Sequence, residues 1–289
     1  MRIALTGANG FLGRHLTRVF LARGWQVVGL VRNPAAIESP QQNAASYFRY
    51  AFPNELDTTA FVKPVDVLVH CAFEMRARRE DYSINRTAAV FLKKQPARRL
   101  VFISSMSAHG DAESLYGIEK LHIESMLDPK RDLSVRPGFI IGDGGVFMNL
   151  ARSIRTLPVI PLFYGGRQPI QTVHLDDLTE AVAVAIERDV TGLISYGERE
   201  PVLLRDFYAA IASGLAVKRP FVPVPAGLAL MALRSAEKMG LRLPMTSENL
   251  LGLKHLIAVD TAGAAQQLGV TARPMAESLS TVDWGALCG

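Results

Sequence analysis

Short apolar runs alternate with helix-like segments through the first half of the chain, and this alternation restricts the fold more than any other feature. The runs are continuously apolar rather than alternating, so each is predicted to be a strand that is buried on both faces. Strands of this kind that are joined by helices form a parallel sheet covered on both sides. The predicted strands span residues 2–6, 26–31, 47–52, 65–72, 99–105 and 133–137, and predicted helices span 11–24, 80–94 and 114–127.

A turn with three glycines separates the first strand from the first helix. In the segment TGANGFLG, Gly7, Gly10 and Gly13 stand three residues apart. Such glycines allow a tight turn, a close backbone approach to a pyrophosphate, and close packing of the helix on the strand. The start of the helix then offers free N–H groups and the positive end of its dipole. The turn predicts a dinucleotide site, and a purely structural turn is the alternative.

The end of the second strand indicates which dinucleotide is bound. An acidic residue there would hold the ribose hydroxyls of NAD, but the strand ends in Val31 and Arg32. A guanidinium suits a 2′-phosphate, so Arg32 favours NADP over NAD, and Arg14 is a second candidate for the same role. A solvated surface position is the alternative for Arg32.

The fold class that follows is α/β: a Rossmann-type doubly wound parallel sheet with a small, mainly helical C-terminal substrate lobe. The regular alternation ends near residue 142, and a helix at 175–188 and a strand at 192–197 return to the sheet. The nucleotide-binding domain is therefore predicted to span 1–142 with 170–197, and the lobe 143–169 with 198–289. The substrate is expected in the cleft between them, at the carboxyl ends of the strands.

A tyrosine and a lysine four residues apart follow the serine-rich end of the fifth strand. Tyr116 and Lys120 share one face of a predicted helix, and Ser105 lies at the preceding strand end. A nearby ammonium is expected to lower the tyrosine pKa, so that the phenol can relay a proton while a nicotinamide exchanges a hydride.

These motifs together resemble the short-chain dehydrogenase/reductase superfamily in its extended or atypical branch, the NAD(P)-dependent epimerase/dehydratase family. The resemblance implies that Ser105, Tyr116 and Lys120 are catalytic, with Ser104 or Ser107 as substitutes for the serine. It also matches Asn85 to a family asparagine. With Arg32, the cofactor contacts that follow are Gly7, Asn9, Gly10, Phe11, Leu12, Gly13, Cys71, Ala72, Phe73, Tyr116, Lys120, Pro137 and Gly138.

Three departures from the family pattern affect the substrate more than the chemistry. The segment RYAFPNE (49–55) lacks the aspartate that often holds the adenine. Ser105 and Tyr116 are only eleven residues apart, which predicts a more open site. His109 replaces a tyrosine of the family.

The resemblance implies a nucleotide-sugar as the substrate, with epimerase, dehydratase or 4-keto reductase chemistry. One alternative is a redox-silent NAD(P)-binding sensor or assembly subunit, and the other is a reductase of an apolar, steroid- or flavonoid-like alcohol or ketone. A basic pocket in the lobe, near Arg152, Arg155 or Arg167, would favour a pyrophosphate-bearing substrate over an apolar one.

Composition limits the partners and the setting. The chain of 289 residues is 49% hydrophobic with a net charge of +5, which is typical of a soluble domain. The basic runs at 76–79 and 93–99 predict solvated helix faces rather than nucleic-acid binding. Cys71 and Cys288 are expected to be free thiols in the cytoplasm. The histidines lack metal-ligand spacing, so no metal is expected.

The longest apolar segment is FVPVPAGLALMAL, at 221–233, which is too short to cross a bilayer. A packed helix of the lobe is predicted there in preference to a helix on a membrane surface, and no membrane partner is expected. By analogy with the family, helices 80–94 and 114–127 would pair in a homodimer.

Overall fold

The computed structural model describes residues 1–37, 45–75, 83–241, 243 and 245–285. Strands and helices alternate through its first half as the sequence predicts. The strands are β1 (Arg2–Thr6), β2 (Gln26–Val31), β3 (Ser46–Ala51), β4 (Glu55–Leu56), β5 (Val65–His70), β6 (Ala97–Ile103), β7 (Leu133–Pro137), β8 (Phe139–Ile141), β9 (Ile160–Phe163), β10 (Pro169–Ile170), β11 (Thr172–His174), β12 (Gly192–Tyr196), β13 (Val202–Leu203) and β14 (Phe221–Val224). The helices are α1 (Phe11–Ala22), α2 (Ser83–Lys93), α3 (Leu115–Ser125), α4 (Gly145–Thr156), α5 (Leu175–Glu187), α6 (Leu204–Gly214), α7 (Ala226–Lys238), α8 (Ser247–Lys254), α9 (Ala262–Leu268) and α10 (Met275–Ser280).

An eight-stranded sheet forms the centre of the molecule, in the order β12–β7–β6–β5–β1–β2–β3–β4. Every neighbouring pair in it is parallel except β3 and β4. The strand order reverses at β1, so the carboxyl ends of β1 and its neighbours open a crevice at the point where doubly wound sheets bind ligands. The predicted Rossmann-type α/β fold is confirmed.

Side chains on the two faces of the sheet enter two separate cores. Ile3 and Leu5 of β1 pack on one face with Phe20 of α1 and Val182 of α5. Ala4, between them in sequence, points to the opposite core, which α2 and α3 cover. Both faces are buried, which explains why the strands are continuously apolar in sequence.

The lobe has a core of its own, in which Phe147 of α4 and Phe207 of α6 are fully buried. The C-terminal part of the chain divides between the two cores, because Ala264 and Leu268 of α9 pack with the sheet rather than with the lobe. The predicted lobe at 198–289 thus includes a segment that returns to the nucleotide-binding side. Three small two-stranded sheets, β8–β11, β9–β14 and β10–β13, complete the fold.

Helix α7 is the packed helix predicted for the segment 221–233, except that residues 221–224 form β14 and the helix begins at Ala226. It packs against α8, but among its described side chains only Ala236 is buried. Its leucines and methionine are distributed around the helix, while the lobe covers only one side of it. Within the described ranges, no helix combines the length and the apolarity needed to cross a membrane.

Candidate active site

The glycine turn forms a cradle that side chains would fill. Gly7 has a positive φ of 69°, and its N–H donates to the carbonyl oxygen of Leu30 at 2.9 Å. A Cβ on Gly13 would lie 2.0 Å from the carbonyl oxygen of Gly7. Gly10 precedes α1 without capping it through a side chain, so the start of α1 keeps its dipole and N–H groups for a ligand. This geometry fits the pyrophosphate of a dinucleotide.

Thr6 binds residues 71 and 72, which follow β5, next to the glycine turn. Its hydroxyl oxygen accepts the N–H of Cys71 at 3.1 Å and of Ala72 at 3.0 Å. The hydroxyl also lies 3.0 Å from Nδ1 of His70, whose pKa burial lowers to about 3, so the imidazole is neutral. Residues 71–73 are thereby held against the turn, where they form the next wall of the site.

Asn85 supports the same segment from α2. Its amide oxygen accepts the N–H of Glu74 at 2.9 Å, and its amide nitrogen donates to the carbonyl oxygen of Glu74 at 3.2 Å. The side chain is fully buried. Asn85 therefore holds the wall in place without itself lining the cavity.

Ser105 and Tyr116 form a hydrogen-bonded pair at the carboxyl end of β6. The bond from Ser105 favours the phenolate, but burial of Tyr116 outweighs it and raises the tyrosine pKa. The tyrosine pKa is thus raised, whereas the sequence predicted a lowering by the neighbouring Lys120. The phenol keeps its proton at neutral pH because the apolar surroundings disfavour its charged form.

Lys120 is buried beneath the tyrosine. Its ammonium donates a 2.6 Å hydrogen bond to the carbonyl oxygen of Ile103 and lies 4.2 Å from the ring centre of Phe73. It lies 5.6 Å from the ring centre of Tyr116. Burial lowers the pKa of Lys120 to about 7, so the lysine can gain or lose its charge near neutral pH.

The neighbouring serines occupy different positions. The hydroxyl of Ser104 is buried without a hydrogen-bond partner among the described residues. Ser107 donates its backbone N–H to the hydroxyl oxygen of Ser105 at 3.1 Å, and its carbonyl oxygen faces Gly117 at the start of α3. Ser105 is the serine that meets Tyr116, as the resemblance implies.

The predicted site residues line one cavity of about 2650 Å³. This volume exceeds that of an ordinary small-molecule site and suits a dinucleotide together with a substrate. The lining residues that the sequence singled out are Gly7, Asn9, Gly10, Phe11, Leu12, Gly13, Arg32, Cys71, Ala72, Phe73, Ser105, Tyr116, Lys120, Pro137 and Gly138. Their roles in binding or catalysis stay predictions.

Two arginines line the cavity at the ends of β2 and β3. Arg32 is exposed and forms no ion pair with a described residue, whereas Arg49 reaches Glu55 at 3.4 Å. Arg49 pairs in register with Val31, the neighbour of Arg32. The sequence prediction missed Arg49, and the pairing of adjacent strand ends is the signal that could have found it. Arg14 is exposed and does not line the cavity.

The lobe contributes an apolar wall. Arg152, Arg155 and Arg167, whose presence would have indicated a pyrophosphate pocket, do not line the cavity. The basic residues of the lobe that do line the cavity are Arg234, Lys238 and His255. The wall itself includes Leu150, Ile154, Leu157, Val159, Ile160, Phe163, Leu253, Leu256 and Ile257.

Helix α8 bridges the short connection between Ser105 and Tyr116. Glu248 accepts the N–H of Leu115, at the first residue of α3, at 2.6 Å. Glu113 binds Lys254 at 2.5 Å and His255 at 2.8 Å. His109 faces the lobe as well and donates from Nε2 to the carbonyl oxygen of His255 at 2.9 Å. The lobe thus covers the connection that was expected to leave the site open.

Several sequence features fall elsewhere. The basic run at 76–79 and Cys288 lie outside the described residues. Cys71 lines the cavity as a thiol, because burial raises its pKa to about 11. Across the parts of the chain that the structure describes, no three His, Cys, Asp or Glu side chains are grouped to hold a metal ion.

Similarity to known proteins agrees with this geometry. Residues 7–134 match a family model described as NAD(P)H-binding. An uncharacterised protein of Mycobacterium tuberculosis is 31% identical over 78% of this chain and 24% of its own length. A ceramide reductase of Caulobacter vibrioides is 29% identical over 68% of this chain and 64% of its own. A third relative, from Stigmatella aurantiaca, is a 4-hydroxy-2-methyl-3-oxo-4-farnesyl-3,4-dihydroquinoline-1-oxide ketoreductase. It is 26% identical over 83% of this chain and 80% of its own length. The chain spans about a quarter of the first relative.

Solved structures share the whole fold. An NAD-dependent NDP-hexosamine 5,6-dehydratase of tunicamycin biosynthesis superposes with a TM-score of 0.73 at 17% identity, over 99% of this chain and 98% of that one. UDP-N-acetylglucosamine 4-epimerase from Bacillus cereus superposes with a TM-score of 0.70 at 15% identity, over 100% of both chains. Residues 7–134 are thus similar to an NAD(P)H-binding family, and the whole chain has the fold of these NAD-dependent dehydratases and epimerases.

Proposed function

We propose that the chain is an NADP-dependent oxidoreductase that reduces a keto group to a secondary alcohol. The observation that carries the proposal is the shared cavity: the glycine turn and the Ser105–Tyr116 pair, with Lys120 beneath it, line the same space. A dinucleotide held by the turn and a carbonyl held by the pair would therefore meet.

The chain's own residues fit the dinucleotide along its whole length. The start of α1 suits the pyrophosphate, and Arg32 with Arg49 suits a 2′-phosphate by charge-assisted hydrogen bonds. Residues 71–73 from one side and Pro137 with Gly138 from the other would flank the nicotinamide. When bound, the nicotinamide supplies the hydride.

Tyr116 and Ser105 supply the proton chemistry. Both hydroxyls can bind one substrate oxygen, and Tyr116 donates its proton as that oxygen gains negative charge. The raised pKa of Tyr116 keeps the proton in place until then, which favours reduction over oxidation. Lys120, when protonated, stabilises the phenolate that remains.

An apolar substrate body fits the lobe side of the cavity better than a nucleotide. The wall offers leucine, isoleucine and phenylalanine side chains, while Arg152, Arg155 and Arg167 lie elsewhere. Two of the relatives support this choice, since one is a ceramide reductase and the other a ketoreductase of a farnesyl-bearing dihydroquinoline oxide. We therefore place an apolar ketone ahead of the nucleotide-sugar that the family resemblance implied.

A nucleotide-sugar is the second candidate. Arg234, Lys238 and His255 line the cavity from the lobe, where they could meet a pyrophosphate. The solved structures that share the fold act on NDP-hexosamine and UDP-N-acetylglucosamine. A redox-silent role is less well supported, because Ser105, Tyr116 and Lys120 are all present and oriented toward one cavity.

The test compares Tyr116→Phe with Tyr164→Phe, a matched control at a tyrosine that does not line the cavity. NADPH oxidation is measured with methyl ketones of increasing chain length and with UDP-sugars. We expect Tyr116→Phe to lose about 100-fold or more in kcat, the loss typical of a removed general acid, while it still binds the dinucleotide. Unchanged turnover in Tyr116→Phe would refute the proposal. Turnover of UDP-sugars alone would select the second candidate.

A further inference from the structure

We propose that one face of α7 docks the protein on an anionic membrane surface, beside the mouth of the cavity. The α7 face consists of Leu228 and Met231 of the helix and Met239 at its C-cap, and Leu241 follows just beyond. These four are 61%, 61%, 70% and 55% exposed. Residues 228, 231 and 239 fall on one side of the helix by its period of about 3.6 residues. Leu228, Met231 and Met239 are thus presented together to solvent, and Leu241 and Leu243 are exposed beyond the end of the helix.

The orientation of α7 is set from its other side. Glu237, about two and a half turns beyond Leu228 and so on the opposite side, accepts the N–H of Ser247 at 2.6 Å and its hydroxyl at 2.7 Å. Ala236 is buried close by. These contacts with the start of α8 direct the α7 face outward, so its exposure is a property of the packed lobe.

The charges beside the face complement an anionic lipid surface. Arg234 and Lys238 border Met231 on the helix, are exposed, and form no ion pair with a described residue. Glu237 is the acidic residue of α7, and it is bound to Ser247. An apolar stripe with flanking cations is the pattern of helices that lie in a membrane interface. Anionic headgroups add an attraction to each nearby cation.

A second copy of this chain fits the face less well. In a two-fold symmetric contact the same patch meets itself, so one interface would collect Arg234 and Lys238 of both copies without an acidic side chain of α7 to pair with them. Such like-charge contact is unfavourable, whereas a bilayer satisfies the leucines and the cations at once. The charges beside the α7 face therefore favour an anionic membrane over a second copy of the chain.

The α7 face lies next to the cavity, which suggests a role in the delivery of the substrate. Arg234, Lys238 and Leu243 also line the cavity, so the α7 face and the cavity mouth share an edge. An apolar ketone could then pass from the bilayer toward Tyr116 without crossing water. This delivery role rests on the proposed function, but the docking itself does not.

The test is co-sedimentation of the full chain with phosphatidylcholine vesicles and with vesicles that also contain phosphatidylglycerol. We expect binding to the anionic vesicles that weakens as salt is added. The double variant Leu228→Ser, Met231→Ser should bind at least tenfold more weakly. Val62→Ser is the matched control, because Val62 is 79% exposed and lies outside α7. The variant Arg234→Glu, Lys238→Glu should lose the preference for anionic vesicles.

Wild-type protein that stays in the supernatant, or a Leu228→Ser, Met231→Ser variant that binds like wild type, would overturn the proposal. A dimer in analytical ultracentrifugation that this variant abolishes, without vesicle binding by either protein, would assign the face to self-association instead. Tyr116→Phe separates the two proposals, since it should bind vesicles normally. If it also retains full turnover, the proposed function fails and the docking stands.

Discussion

The carbonyl oxygen of Gly7 occupies almost the position that a Cβ on Gly13 would take, at 2.0 Å. The glycine turn therefore depends on the close approach of α1 to β1, and it is a packing constraint as well as a ligand cradle. A backbone oxygen cannot move aside as a flexible side chain would. We therefore expect that adding one methyl group at Gly13 lowers both the stability of the fold and its affinity for a dinucleotide.

Gly13→Ala should push α1 away from the turn. We expect a loss of about 1–3 kcal/mol in the free energy of unfolding, as in overpacked cores, together with a large loss of dinucleotide affinity. Gly263→Ala is the matched control, because a Cβ there meets nothing within 4 Å and alanine favours the helix. Urea unfolding and fluorescence titration with NADPH measure both effects. Equal behaviour of the two variants would contradict this account.

Lys120 should make the stability of the dinucleotide-free protein rise with pH from about pH 7. Burial lowers its pKa from 10.5 to about 7, so above about pH 7 the unfolded chain binds more protons than the folded one. The slope is at most about 1.4 kcal/mol per pH unit. Above about pH 9 the raised pKa of Cys71 acts in the opposite direction, because only the unfolded thiol has then begun to ionise.

Lys120→Met is the comparison for that pH dependence. It removes the titrating ammonium and keeps an apolar chain of similar length beside Phe73. Urea unfolding between about pH 7 and about pH 9 should show a rising stability for wild type and a nearly flat one for the variant. An identical slope in both proteins would assign the pH dependence to other groups.

Arg32 should determine the preference for NADP. Arg32→Ala removes a guanidinium from the cavity edge, so KM for NADPH should rise about tenfold or more, while KM for NADH changes little. Arg14→Ala is the control, since Arg14 is exposed and lies outside the cavity lining. A wild-type protein that purifies with tightly held NAD, or a variant that weakens both dinucleotides equally, would contradict the NADP assignment.

The nucleotide-binding half could be predicted closely because its signals are local. The apolar run at 2–6 and the glycines that follow it determine strand, turn and helix within a few residues, and β1 begins and ends where the sequence predicts. Tyr116 and Lys120 could be recognised in the same way, because their spacing alone places them on one helix face.

The remaining features depend on contacts between residues far apart in sequence. Arg49 joins Arg32 only because β3 lies beside β2, and the tyrosine pKa rises only because the assembled fold buries Tyr116. The character of the lobe wall depends on which side of α4 faces the cavity. Leu150 and Ile154 line the cavity, whereas Arg152 and Arg155 do not.

By itself, the sequence determined the doubly wound sheet and the glycine turn, because both follow from periodicity or spacing within a short segment. It also predicted Ser105, Tyr116 and Lys120 as a catalytic trio. The tertiary structure alone decided the electrostatics of that trio, the apolar wall of the lobe and the exposure of Leu228 and Met231. The physical reason is that burial is a property of what packs against a residue. A segment such as 221–233 carries enough apolar residues for a core helix, yet the lobe covers only one side of it.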